Sequence, residues 1–149
     1  MDLNLKDKVA LITGASRGLG ATSARLLAKE GAKLALTART KAELDALADA
    51  IRKDTDADVL PIPMDLTAPD ASEQVRDAAL GAYGRIDILI NCAGASQGGV
   101  FWEIPDRTWA ESFELKVMGT IRMMRAVIPS MIERKYGRIV NVVGNTGLQ

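Results

Sequence analysis

Val9-Ala-Leu-Ile-Thr-Gly-Ala-Ser-Arg-Gly-Leu-Gly20 is the stretch around which this chain is organised. An apolar run ends at Thr13, and Gly14, Gly18 and Gly20 follow at the spacing G-x-x-x-G-x-G. The alanine-rich segment Ala21 to Glu30 comes directly after and has the composition of a helix. A buried strand, a glycine turn and a helix N-terminus in that order form a phosphate cradle. Glycines let the backbone turn sharply and approach a pyrophosphate, while the helix's free N–H groups and dipole favour negative charge. An ordinary strand-to-helix turn is the alternative reading of the same residues.

Working outward, apolar runs and helical stretches alternate. Lys8–Thr13 reads as the first strand and Leu19–Glu30 as the first helix, stopped by Gly31. Lys33–Ala38 is a second strand, apolar enough to be covered on both faces. Thr40-Lys-Ala-Glu43 has the pattern of a capping box and opens a helix to about Lys53. Asp58–Met64 is a third strand, and Pro61 and Pro63 assign it to a sheet edge. Thr67 can cap a helix that runs to about Ala82 and is closed by Gly84. Arg85–Asn91 is a fourth strand, followed by the glycine-bearing loop Cys92–Pro105. Asp106 can cap a long helix to about Arg134, and Gly137 precedes a fifth strand, Arg138–Val143.

Strands joined through helices imply βαβ units and hence a parallel sheet. The expected fold is α/β, a Rossmann-type doubly wound parallel sheet in the order 3-2-1-4-5, a single domain over residues 1–149. That order places the proline-bearing strand at an edge.

Composition limits the function. The chain has 149 residues, of which 48% are hydrophobic, enough for one real core. Its 19 basic and 19 acidic residues balance, so no nucleic-acid or membrane-surface partner is indicated. The single cysteine, Cys92, excludes an internal disulfide framework and suits a reducing, cytoplasmic setting. Cys92 itself reads as a small core residue rather than a catalytic thiol. Met1-Asp-Leu-Asn-Leu-Lys6 lacks the layout of a signal peptide, and no apolar run reaches membrane-spanning length. Histidine is absent, so histidine base chemistry and histidine metal ligation do not occur within these residues, and no metal site is expected.

Three motifs at the ends of successive strands carry a family resemblance. Thr13-Gly-Ala-Ser-Arg-Gly-Leu-Gly20, the Asp65-Leu66 pair and Asn91-Cys-Ala-Gly94 resemble the short-chain dehydrogenase/reductase family across essentially the whole chain. The resemblance implies that the Gly14, Gly18 and Gly20 backbone holds a pyrophosphate, with Ser16 and Leu19 lining it. It implies that Asp65 meets the adenine, with Leu66 flanking it, and that Asn91, Ala93 and Gly94 pass beside the ribose and nicotinamide. Asp65 is alternatively a capping carboxylate near Thr67, and Asn91 a strand-end residue tying the sheet together. The implied reaction is hydride transfer between a nicotinamide cofactor and a small carbonyl or alcohol substrate. A catalytically silent NADP(H) sensor and a lyase or epimerase of the same fold are the alternatives.

Cofactor choice has a physical argument of its own. NAD sites carry an acidic residue about 20 positions after the glycines, bonding the ribose 2′-hydroxyl. Here the second strand ends Thr37-Ala38-Arg39-Thr40, without a carboxylate. Arg17 and Arg39 together suit a 2′-phosphate, because guanidinium pairs with phosphate through parallel hydrogen bonds. NADP(H) is therefore expected over NAD(H); two solvated arginines are the alternative.

The catalytic end departs from the family. Aligning on Trp109 and Gly119 puts Lys116 where relatives commonly have an asparagine. Gly137-Arg-Ile-Val-Asn-Val-Val-Gly144 puts Gly144 where they have a serine, with Asn145 or Thr146 as nearby polar groups. Tyr83 and Tyr136 do not match the family's Tyr-x-x-x-Lys pair, which would lie further on. A single α/β domain of this kind reaches roughly 250 residues. The chain is thus expected to be the first part of a longer one, since ending here leaves the fifth strand an apolar unpaired edge. Lys116 either presents its ammonium to a developing alkoxide or points into water.

The last helix has an unusually wide apolar surface. Trp109, Phe113, Val117, Ile121, Met124 and Ile128 form one stripe, which Leu115, Met118, Met123 and Val127 widen. Core packing explains such a stripe, and the family resemblance suggests instead a homo-oligomer contact, in a dimer or tetramer.

Overall fold

Apolar strands that alternate with amphipathic helices collapse into one sheet covered on both faces. The computed structural model describes residues 3–94 and 99–144. Its strands are β1 (Val9–Thr13), β2 (Lys33–Ala38), β3 (Val59–Pro63), β4 (Ile88–Asn91) and β5 (Arg138–Asn141). Neighbours run parallel in the order β3-β2-β1-β4-β5, as the sequence predicts. Leu11 of β1 sits between Ala35 of β2 and Leu89 of β4. β3 is an edge strand, so the N–H groups missing at Pro61 and Pro63 can lie on the side without a ladder.

The helices are α1 (Gly18–Lys29), α2 (Lys41–Asp54), α3 (Ala71–Tyr83), α4 (Asp106–Phe113) and α5 (Gly119–Glu133). Successive strand residues point to opposite faces. Ala10, Ile12, Leu34 and Leu36 pack with Ala24, Ala28, Leu44, Ala48 and Ile51 of α1 and α2. Leu11, Ala35 and Leu89 pack on the other face with Val75 and Ala79 of α3 and Met123 and Val127 of α5. Each fully buried leucine or isoleucine here contributes about 1.5–3 kcal/mol, so the central strands form a rigid floor for whatever lies at their ends.

One buried charge anchors the amino ends of the strands. Asp87, inaccessible to solvent, accepts the Val9 N–H at 2.9 Å and bonds from Arg85 and Arg134. Burial pushes its carboxyl up, but the bonds from Arg85, Val9 and Arg134 outweigh that and hold it below the ordinary aspartate value.

Several boundaries differ from the sequence expectation. α3 starts at Ala71 rather than near Thr67, because Asp70 takes the N-cap position at φ 58° while Thr67 is engaged with Asp65. β4 starts at Ile88, since the Arg85–Asp87 ion pair fixes the residues before it. Thr40 stands at the N-cap of α2 but makes no side-chain cap bond, so the Thr40–Glu43 box does not form. The loop before α4 contains a short 3₁₀ turn, Phe101–Glu103, and Pro105 rather than Asp106 is the N-cap of α4.

The largest correction concerns the long helix. It is divided by a π-helical turn, Glu114–Met118, between α4 and α5. Such a turn admits an extra residue and shifts the phase of the side chains beyond it. Trp109, Phe113, Val117 and Ile121 lie exposed, while Met123, Ala126, Val127 and Met131 face the core. No helix among the described residues is long and apolar enough to cross a membrane.

Candidate functional site

A cleft of about 450 Å³ opens at the carboxyl ends of the strands. Parallel sheets of this order bind ligands there, where the connections from β1 and β4 diverge to opposite faces. Gly14, Ser16, Arg17, Gly18, Leu19 and Gly20 line one wall. Ala38, Arg39, Thr40 and Glu43 line the side reached from β2, and Met64 and Leu66 the side reached from β3. Cys92, Ala93 and Gly94 after β4, Leu115 and Val142 complete it.

The glycine turn is shaped by close backbone approach. Gly14 has φ +61°, and a Cβ there would lie 2.7 Å from the Ala93 nitrogen and 2.8 Å from its Cα. A Cβ on Gly20 would collide with the Gly14 carbonyl oxygen. Arg17 stands at the N-cap of α1 in extended conformation and makes no side-chain cap bond. The first N–H groups of α1 thus open onto the cleft without a side-chain acceptor, the arrangement that receives a phosphate.

Two walls of the cleft are tied to each other. Thr13 Oγ1, buried at the end of β1, accepts the N–H groups of Cys92 at 3.2 Å and Ala93 at 3.1 Å. Asn91 turns away from the cleft: its Nδ2 donates to Asn141 Oδ1 at 2.9 Å, and its carbonyl accepts the Val142 N–H. Sheet-tying, one of the two readings of Asn91, is the contact visible here. Its Oδ1 is buried without a partner among the described residues. Cys92 lines the cleft, but burial raises its thiol pKa, which opposes thiolate chemistry.

Charge is concentrated on the β2 side. Arg17 and Arg39 are exposed and form no ion pair with a described residue. Asp65 lies just outside the lining, its Oδ1 accepting the Thr67 N–H at 2.9 Å and hydroxyl at 2.7 Å. Those bonds, aided by Arg39, lower its pKa and keep it ionised. Glu43 was legible in the sequence only as half of a capping box; with that box unformed, it lines the cleft.

Lys116 and Gly144 belong to the rim rather than the lining. Lys116 lies in the π-helical turn, and its stem runs against Gly94, where a Cβ would meet its Cε at 2.7 Å. Gly144 follows β5 with open space beside it. Asn145 and Thr146 lie outside the described residues. Tyr83 donates to the Leu34 carbonyl, and Tyr136 is flanked by Lys8 and Arg138, so both tyrosines stand at the amino ends of the strands. Neither reaches the cleft.

Comparison with known proteins agrees with this geometry. Residues 8–149 match the family model described as short chain dehydrogenase. The chain belongs to the short-chain dehydrogenase family. A curated family relative, the 3-oxoacyl-[acyl-carrier-protein] reductase FabG of Vibrio cholerae, is 33% identical over 97% of this chain and 60% of its own length. Among solved structures, a metagenomic short-chain oxidoreductase in complex with NADP superposes with a TM-score of 0.89. It is 34% identical over 97% of this chain and 66% of that one. L-sorbose reductase from Gluconobacter frateurii, complexed with NADPH and L-sorbose, gives 0.88 at 34% identity, over 93% of this chain and 53% of that one. The chain spans 43% to 63% of the length of the curated relatives it matches.

The residues present fit a dinucleotide. The cradle at Gly14 and Gly20 is one a Cβ would fill, the helix N-terminus beside it has no side-chain cap, and Arg17 and Arg39, without an ion pair among the described residues, flank it.

Proposed function

We propose that residues 1–149 form the NADP(H)-binding part of an oxidoreductase that transfers hydride between nicotinamide and a small carbonyl or alcohol substrate. The observation that carries this reading is the single cleft shared by the glycine turn, Arg17, Arg39 and Gly94. The relatives bound to NADP and NADPH support it. In this reading the Gly14, Ser16, Gly18, Leu19 and Gly20 backbone holds the pyrophosphate, and Arg17 and Arg39 hold the 2′-phosphate. Leu66 and the ionised Asp65 bound the adenine. Asn91 fixes the β4 end so that Ala93 and Gly94 run beside the ribose and nicotinamide.

A bound nicotinamide supplies the hydride chemistry; these residues supply position and exclude water. Lys116, in place of the family's asparagine, lays its stem on Gly94 and brings a cation to that end of the cleft. Gly144 leaves the hydroxyl position of relatives empty of a donor, so carbonyl orientation falls to other groups. The acid/base belongs to a part of the protein outside these residues. A cytoplasmic location and a homo-oligomer, dimer or tetramer, complete the proposal, the latter supported by the exposed Trp109, Phe113, Val117 and Ile121.

Monitoring NADPH absorbance of the natural-length protein with a panel of carbonyl compounds tests the reaction. Oxidation of NADPH with any of them supports it. Tight NADPH binding without turnover would replace it with the sensor reading, and cofactor retention with rearrangement of substrate with the lyase or epimerase reading.

A further inference from the structure

The β2 side of the cleft carries a carboxylate that does not come from the strand end. Glu43, in the first turn of α2, lines the cleft together with Arg17, Arg39 and Thr40. Three other acidic residues of α2 are engaged: Asp45 with Lys41, Asp49 with Arg52 and Asp54 with Arg25. Glu43 has no such partner among the described residues, and Thr40 does not draw it back into a cap.

Resting on the cofactor reading above, we propose that Glu43 sets the discrimination between NADP(H) and NAD(H), accepting the ribose 2′-hydroxyl of NAD(H) and opposing the 2′-phosphate of NADP(H). Sites that select NAD place a carboxylate on that hydroxyl from the end of the second strand. Here Arg39 occupies the strand-end region, and the carboxylate is delivered from the first turn of the following helix. Arg17 and Arg39 both line this side of the cleft, so the phosphate still gains on binding, although Glu43 and, just outside the lining, Asp65 oppose it. Glu43 subtracts from that gain, because like charges in a solvent-accessible site repel by the same modest amounts by which opposite ones attract. The cleft is therefore a moderated NADP site that also admits NAD(H).

The test is Glu43→Gln in the natural-length protein, with NADPH and NADH titrated separately by nicotinamide fluorescence. Glutamine keeps the shape and the hydrogen-bonding reach and removes the charge. The expected result is tighter NADPH binding and weaker NADH binding, raising the affinity ratio by roughly two- to fivefold, in line with exposed charge pairs. Increasing salt narrows the difference between wild type and variant. An unchanged ratio, or weaker NADPH binding, would overturn the role of Glu43 while the cofactor reading stands. Binding of neither nucleotide to the wild-type chain overturns both. Arg39→Ala run in parallel lowers NADPH affinity selectively and shows that the assay detects 2′-phosphate recognition.

Discussion

Thr13 Oγ1 accepts the Ala93 N–H at 3.1 Å, so the end of the first strand holds the loop that follows the fourth. The same oxygen accepts the Cys92 N–H; Thr13 is buried and the two donors are half-buried. Replacing Thr13 by Val keeps the shape and leaves two N–H groups without their acceptor. Thr13→Val should destabilise the fold by about 1–3 kcal/mol, the cost of orphaned donors. NADPH affinity should fall as well, since the loop is one wall of the cleft. Urea unfolding and nucleotide titration check the two effects.

The glycines of the turn should differ in their tolerance. At Gly14 a Cβ meets the Ala93 backbone, which cannot move without disturbing β4, and φ is +61°. At Gly18 φ is +55°, but a Cβ finds open space. Gly18→Ala should cost only the left-handed backbone strain, about 1–2 kcal/mol. Gly14→Ala adds the collision and should cost clearly more. Equal losses in thermal or urea unfolding would mean that the close approach of the two loops is not what fixes Gly14.

Most of the architecture was legible in the sequence because it depends on period and punctuation. Strand order followed from the βαβ alternation and from Pro61 and Pro63, and the cleft from motifs at the ends of the first, third and fourth strands. The failures have local causes. No sequence pattern marked the π-helical turn at Glu114–Met118, which shifts the phase of α5 relative to α4, and Trp109 and Phe113 lie exposed. Thr67 looked like a cap but is held by Asp65, a contact between side chains that propensity does not encode. Glu43 was given a local partner in Thr40, but that cap bond does not form and Glu43 lines the cleft.

Asp87 should impose a pH signature on stability. Its folded pKa lies below the ordinary 3.8, so its contribution is present above that value and lost as pH falls through the lower folded one. Asp87→Asn breaks a buried, doubly paired carboxylate and should cost about 3 kcal/mol at pH 7, the lower end for such groups because both arginines are partly exposed. The gap between wild type and variant should narrow below about pH 4. Urea unfolding at neutral and acid pH measures it; a gap independent of pH would contradict the assignment.

Lys116 makes a prediction about turnover rather than folding. Its stem rests on Gly94, but it is exposed and pairs with no described carboxylate. In the natural-length enzyme, Lys116→Ala should lower kcat by about a hundredfold or more, the scale of one donor at a developing oxyanion, with NADPH affinity unchanged. An unaltered kcat would make Lys116 a surface residue.

The most direct measurement of the central claim is a calorimetric titration of the natural-length protein with NADPH and NADH. The cleft geometry predicts saturable binding of NADPH, tighter than NADH, with the preference reduced when Arg17 and Arg39 are both changed to alanine. Absence of heat with either nucleotide would contradict the cofactor site, and tighter binding of NADH would contradict the role given to the two arginines.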